Sequence, residues 1–189
     1  MRRIGYWFAL SSLANVAWIF VFQYDLYTLS MLPMLVLLVA LLAVHLTLGI
    51  GREKVSRADH WFIHVPFSIY LGWISVATIA NATYVLYVDG AWRDPISGQL
   101  ATFAMLAIGA ALSGLMVFLR NTPAFALVVI WAFMGIFARH NADPTFTTAL
   151  PTDFVTLATQ VGTFAAAMSF IVAAVLFAWF FVRGRKLAS

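Results

Sequence analysis

The best candidates for ligand chemistry in this chain are polar and aromatic side chains that recur at helical spacing inside one apolar stretch, residues 65–87. Tyr70, Trp73, Ala77, Asn81 and Tyr84 are three or four positions apart and fall on one helix face. Large rings, a small residue and an amide on one face suit the wall of a pocket for a flat, mostly apolar ligand. The same pattern is compatible with a helix–helix interface in which Asn81 bonds to a neighbouring helix.

Histidines are the other side chains that could bind a ligand or a metal. His60 and His64 are four positions apart, a spacing that suits a shared metal ion, but the sequence identifies no third ligand for it. His45, about one turn before the end of its apolar segment, is the best single candidate for a haem or chlorin ligand. A lone histidine in a membrane span is more often hydrogen-bonded inside the bundle. We therefore expect no metal site and keep the three histidines as secondary candidates.

Several function classes lack the residues that they need. The chain has no cysteine, which excludes disulfides and thiolate-bound metals. No charged residue lies near the middle of any apolar segment, which argues against a proton pump or an ion pathway. Paired carboxylates, a nucleophile with its base and a phosphate-binding loop are also missing, so we expect no enzyme activity.

The elements that must position these residues are membrane helices. Of 189 residues, 63% are hydrophobic and 10% charged, and the mean hydropathy is +0.94. Six apolar segments, at about 5–23, 30–50, 62–88, 99–119, 123–138 and 154–182, are each long enough to cross a hydrocarbon core of ~30 Å. Pro33 would fall in the first turn of span two, where proline is tolerated. The sequence predicts an all-α integral membrane bundle of six transmembrane helices in a single domain.

The basic residues indicate the orientation of these spans. Nine of them lie on the side that holds both termini, and only Arg93 and Arg139 lie on the other. This bias predicts that both termini are cytoplasmic, in a multi-pass protein of a bacterial or archaeal inner membrane. The net charge of +4 is therefore a topology signal, and we expect no nucleic-acid partner.

Two segments of the chain are similar to one another and to a known family. S-L-A-N-V-A-W, from Ser12 to Trp18, matches T-I-A-N-A-T-Y, from Thr78 to Tyr84. With V-P-F-S-I-Y-L-G-W-I-S-V-A-T-I-A-N before and within the second segment, residues 6–87 resemble the translocator-protein family, also called tryptophan-rich sensory proteins. The chain is most similar to long members with extra helices. The family's first two helices have no counterpart, so the resemblance implies a long variant that lacks them.

This resemblance implies a function and a site. It implies a non-enzymatic membrane receptor or sensory protein that binds a tetrapyrrole, such as a porphyrin or haem, or a similar flat hydrophobic molecule between spans one and three. No cofactor would be required. On the matching positions, Asn15 and Asn81 would supply polar contacts, Trp18, Tyr70 and Trp73 the aromatic walls, and Ala77 the room. Trp131 also lies deep enough in its span to face a ligand or the core.

A structural role is the alternative. Small residues recur at helical spacing in spans four and six, at Gly109 with Ser113, Ala110 with Gly114, and Gly162 with Ala166 and Ser169. Such faces permit close packing within the bundle or against another protein. The chain would then be an accessory subunit of a photosynthetic or respiratory membrane complex, packing helices, lipids or pigments. Expected partners are membrane lipids, a hydrophobic small molecule, and a larger complex or a homo-oligomer.

Overall fold

The structure, a computed structural model, describes residues 4–90, 95–142 and 152–188, and within them it contains six helices long and apolar enough to cross a membrane and no strand. The first two helices are α1, Gly5–Gln23, and α2, Tyr27–Thr47. Helix α3 combines a short turn Arg57–Asp59, a π-helical segment His60–His64 and the long helix Val65–Val88. Helix α4 is Pro95–Arg120, α5 is Pro123–Phe137 with a π-helical continuation Ala138–Ala142, and α6 is Thr152–Ala188. The predicted all-α six-helix architecture is confirmed.

Span two is displaced from its predicted position. The prediction of 30–50 was wrong by about one turn at its start, and Pro33 therefore lies inside α2 instead of in its first turn. The helix ends at Thr47 because Gly49 and Gly51 follow with φ of +60° and +79°. A left-handed glycine just after a helix ends it, since an α-helix needs negative φ.

The helices pack in a defined order. Helix α1 packs on α2, α2 on α3 and α3 on α5, while α6 packs on both α4 and α5. The main core lies between α2, α3 and α5, and its buried side chains include Met34, Leu37, Leu41, Leu71, Ile74, Phe125, Val129 and Phe133. A smaller cluster at one end of α4, α5 and α6 contains Val117, Ala126, Val172, Leu176 and Trp179. Helix α3 is thus held from two sides, by α2 and by α5.

Small residues let the helices approach closely inside the bundle. A Cβ atom at Gly72 of α3 would lie 3.2 Å from the carbonyl oxygen of Phe125, so α3 and α5 are nearly in backbone contact there. A Cβ at Gly109 would lie 3.1 Å from the ring of Phe133, and one at Gly162 would overlap the side chain of Asn141. The glycines of the predicted small-residue faces therefore serve packing within the bundle.

One end of the bundle is basic and tightly connected. A Cβ at Gly51 would lie 1.4 Å from the carbonyl oxygen of Arg120, and Asn121 Nδ2 donates to the carbonyl oxygen of Gly51 at 3.1 Å. Trp179 Nε1 of α6 donates to Asn121 Oδ1 at 3.3 Å. We call this the basic end because it carries Arg52, Lys54, Arg57, Arg120 and Arg183. Arg2, Arg3 and Arg93, which also entered the orientation prediction, lie outside the described residues.

Candidate functional site

A cavity of about 880 Å³, the outer cavity, lies between α1, α3 and α5 in the half of the bundle away from the basic end. Helix α1 contributes Trp18 and Phe22 to its lining, and α3 contributes Trp73, Val76, Ala77, Ala80, Asn81 and Tyr84. Helix α5 and its continuation contribute Trp131, Ala132, Met134, Gly135, Ile136, Arg139 and His140. Nearly all of these side chains are apolar or aromatic. The cavity is therefore suited to a mostly hydrophobic molecule.

Three indoles form the walls of the outer cavity. Trp73 of α3 and Trp131 of α5 have ring centroids 5.5 Å apart with their planes inclined by 45°. Trp18 lies on α1, with its ring centroid 5.2 Å from that of Phe22. Between them α3 presents two small side chains, Ala77 and Ala80. Flat aromatic walls separated by small residues leave space for a planar ligand to stack.

Polar side chains border this apolar space at the far end of α5, and one lining residue carries an unpaired polar atom. The Nε1 of Trp18 is buried and has no hydrogen-bond acceptor among the described residues. A buried donor without a partner costs about 1–3 kcal/mol, and this atom has no accessible surface toward the cavity. Arg139 and His140 also line the cavity, at the far end of α5, and a ring nitrogen of His140 lies 2.9 Å from the carbonyl oxygen of Ile136. The site combines an apolar interior with a cation at its edge.

Asn81 holds two helices together at the cavity wall. Its Nδ2 donates to Ser30 Oγ of α2 at 3.0 Å and lies 3.2 Å from the sulfur of Met31. Ser30 Oγ in turn lies 2.6 Å from the carbonyl oxygen of Tyr27, to which it donates. The helix–helix alternative is therefore confirmed for this amide, which also borders the cavity.

Four of the six predicted ligand-binding residues border the outer cavity: Trp18, Trp73, Ala77 and Asn81. Asn15 and Tyr70 do not. Asn15 is half-buried on α1, and Tyr70 packs against the main core. The two similar sequence segments nevertheless converge, because Trp18 of the first and Asn81 of the second line one cavity.

The contribution of α5 was not predicted. The predicted span five ends at residue 138, which leaves Arg139 and His140 in a loop. In the structure the π-helical continuation Ala138–Ala142 brings both side chains to the cavity. A change from α-helical to π-helical geometry at a helix end has no recognisable sequence signal. The depth of Trp131 in its span was the one available indication that α5 takes part.

A second cavity, the inner groove, lies between α3 and α5 at the basic end and has a volume of about 540 Å³. It is lined by His60, Trp61, Val65, Ile69 and Trp73 of α3 and by Pro123, Ala124, Leu127, Val128 and Trp131 of α5. Trp73 and Trp131 border both cavities. The tryptophan pair therefore separates two sites along the same interhelical groove.

The histidines do not form a metal site within the described residues. His60 is exposed and borders the inner groove, whereas His64 is buried, and their ring centroids are 6.3 Å apart. No group of three His, Asp or Glu side chains in this part of the chain could hold a metal ion. His45 is only 1% exposed and borders neither cavity, and neither of its ring nitrogens has a hydrogen-bond partner among the described residues. The expected hydrogen bond of His45 inside the bundle is not found.

One comparison with known proteins identifies relatives. A sequence model of a family described as TSPO-like protein matches residues 1–182. The match includes spans four, five and six, so it extends well beyond residues 6–87, to which the resemblance in the sequence was confined. No curated protein and no solved structure matches the chain.

Proposed function

The chain belongs to the TSPO-like family and is an integral multi-pass membrane protein, and we propose that it is a non-enzymatic receptor or sensory protein that binds a tetrapyrrole or a similar flat hydrophobic ligand in the outer cavity. The observation that carries this proposal is the cavity itself. Trp18, Trp73 and Trp131 surround a space of about 880 Å³ that is open to a ligand. The site involves α5 as well as spans one and three, between which the ligand was first expected.

The dimensions and chemistry of the outer cavity suit such a ligand. Small-molecule sites commonly have volumes of roughly 300–1,000 Å³ and a few polar groups in an apolar lining. A planar ring system would stack on the indoles, and each aromatic contact contributes about 0.5–1.5 kcal/mol beyond the buried area. A porphyrin also carries carboxylates, which Arg139 would attract.

The lining of the outer cavity favours binding over bond-breaking chemistry. No carboxylate, serine or threonine occurs among its described residues, so no general base lies beside a hydroxyl nucleophile there. The titratable side chains in the lining are Tyr84, Arg139 and His140. These groups suit recognition of an acidic, hydrophobic molecule.

The alternative role, as an accessory subunit, loses part of its support. Part of that support came from small-residue faces that could dock another protein. Gly109 faces Phe133, and Gly162 faces Asn141, within the bundle. The receptor proposal is therefore the better supported of the two.

Titration of the detergent-purified protein with a porphyrin tests the proposal, with tryptophan quenching and the Soret absorbance as readouts. We expect saturable binding of one ligand per chain, weakened at least about tenfold by Ala80→Phe, which fills the outer cavity. Ala124→Phe, which fills the inner groove instead, is the matched control and should leave the affinity unchanged. Equal affinity of wild type and Ala80→Phe would refute the site. A colourless protein that ignores porphyrin and is recovered only within a heavier complex would favour the accessory role.

A further inference from the structure

The inner groove is a second site with a different shape and environment. Its side is open to the surrounding membrane, since Trp61, Ile69 and Leu127 are 58%, 45% and 59% exposed. Along α3 it extends from Trp61 to Trp73, a rise of about 18 Å at 1.5 Å per residue. Half of a hydrocarbon core is roughly 15 Å. The groove thus has the length of one leaflet, and the Trp73–Trp131 pair closes it near the middle of the membrane.

The open end of the groove lies beside one cationic side chain, a histidine and a helix N-terminus. His60 borders it, and Arg57, three positions earlier and exposed, lies on the same side of α3. Pro123 and Ala124, the first residues of α5, also line it, so the positive end of that helix's dipole is directed there.

The acidic groups nearby are held by other contacts. The carboxylate of Asp59 accepts a hydrogen bond from Ser56 Oγ at 2.7 Å. The side chain of Glu53 lies against Gly49 in the loop after α2. These two carboxylates stay negatively charged, but the basic end carries five cationic side chains among the described residues, so its net charge remains positive and attracts an anion.

We propose that the inner groove binds one acyl chain of an anionic phospholipid from the leaflet at the basic end, with the phosphate of its headgroup at Arg57 and His60. The apolar lining contacts the acyl chain, and the length of the groove limits how deep that acyl chain inserts. The basic mouth favours an anionic headgroup. This site is independent of the flat-ligand site proposed for the outer cavity, although the two share the tryptophan pair.

Native mass spectrometry of the detergent-purified full chain tests this proposal, with phosphatidylglycerol and phosphatidylcholine of identical acyl chains as probes. We expect a single retained phosphatidylglycerol per chain and roughly fivefold weaker retention of phosphatidylcholine. Arg57→Gln/His60→Gln should abolish this preference, while Lys54→Gln, at a basic residue of the same end that precedes α3, should keep it. Equal retention of both lipids by the wild type would overturn the proposal, and that comparison needs no variant.

Filling the groove separates this site from the outer cavity. Ala124→Phe should lose the lipid whatever its headgroup yet still bind porphyrin, and Ala80→Phe should show the reverse. Retention of phosphatidylglycerol by a folded Ala124→Phe protein would refute the location. A dimer that replaces the lipid adduct in the wild type would assign the groove to a second copy of the chain and overturn the lipid proposal. A failure of porphyrin binding alone would leave the lipid site standing.

Discussion

Trp73 of α3 and Trp131 of α5 are in tilted contact, with ring centroids 5.5 Å apart, and the pair forms the shared wall of two cavities. Both side chains are substantially exposed toward the membrane, Trp73 by 46% and Trp131 by 63%. Their contact is possible because α3 and α5 approach closely at Gly72, one position before Trp73. One interhelical groove is thereby divided into an aromatic outer cavity and an aliphatic inner groove.

Replacing Trp131 should weaken both sites at once. Trp131→Ala removes a wall of the outer cavity and the closed end of the inner groove. We expect porphyrin affinity to fall by about 0.5–1.5 kcal/mol, the usual value of an aromatic stacking contact, and phosphatidylglycerol retention to fall with it. Fluorescence titration and native mass spectrometry measure the two effects. Trp7→Ala changes a half-exposed indole that borders neither cavity, so it should alter neither porphyrin affinity nor lipid retention. Equal losses in the Trp7 and Trp131 variants would contradict the shared wall.

The charge of Arg139 should matter only for ligands that carry an acid group. Arg139 lines the outer cavity, and a charge-assisted hydrogen bond contributes about 1.5–3 kcal/mol. Arg139→Gln should therefore reduce the affinity for a porphyrin with free carboxylates about tenfold or more, and leave the affinity for its dimethyl ester nearly unchanged. Lys54→Gln, at the opposite end of the bundle, controls for net charge. An equal loss for acid and ester would show that Arg139 supports the cavity instead of pairing with the ligand.

The Asn81–Ser30 contact should be measurable as a coupling free energy between α2 and α3. The donor and acceptor are 3.0 Å apart and both residues are buried. Hydrogen bonds between membrane helices contribute about 0.6–1.7 kcal/mol, which is the coupling we expect from unfolding of Asn81→Ala, Ser30→Ala and the double variant in detergent. Ser75→Ala paired with Ser30→Ala should be additive, because Ser75 bonds to a carbonyl of its own helix. Additive effects of Asn81→Ala and Ser30→Ala on the free energy of unfolding would refute the interhelical role of Asn81.

Gly51 should tolerate no side chain. Its φ of +79° disfavours any other residue, and a Cβ would lie 1.4 Å from the carbonyl oxygen of Arg120. Gly51→Ala should lower the free energy of unfolding by at least about 1–3 kcal/mol, the range for a non-glycine residue in left-handed conformation. At Gly135 a Cβ would meet nothing within 4 Å, so Gly135→Ala should be neutral or stabilising. Thermal unfolding in detergent compares the two, and similar melting temperatures would contradict the close approach at Gly51.

His45 should be replaceable by an apolar residue of similar size. Its imidazole is buried without a hydrogen-bond partner among the described residues, which costs free energy in the native state. His45→Leu should leave the free energy of unfolding unchanged or raise it by up to about 1–3 kcal/mol. A thermal melt in detergent measures this change, and the porphyrin absorbance should stay the same. Loss of a Soret band in this variant would instead identify His45 as a haem ligand, as first considered from the sequence.

The predicted site was partly correct, and its errors have a physical basis. Helical periodicity placed Trp73, Ala77 and Asn81 on one face of span three, and all three border the outer cavity. Periodicity could not show that Tyr70, predicted for the same face, packs against the main core and does not border the cavity. It also could not show that α5 supplies the opposite wall, because the side chains that meet across it are far apart in the sequence.

The sequence by itself determined that this protein is a bundle of six membrane helices. A backbone inside the hydrocarbon core must satisfy its own hydrogen bonds, so about 20 consecutive apolar residues specify a helix. Only the tertiary structure decided which helix faces meet. In a membrane the lipid-facing and the buried faces are both apolar, so hydrophobicity does not distinguish them. The pairing of α3 with α5 at Gly72, which creates both cavities, depends instead on close packing between helices.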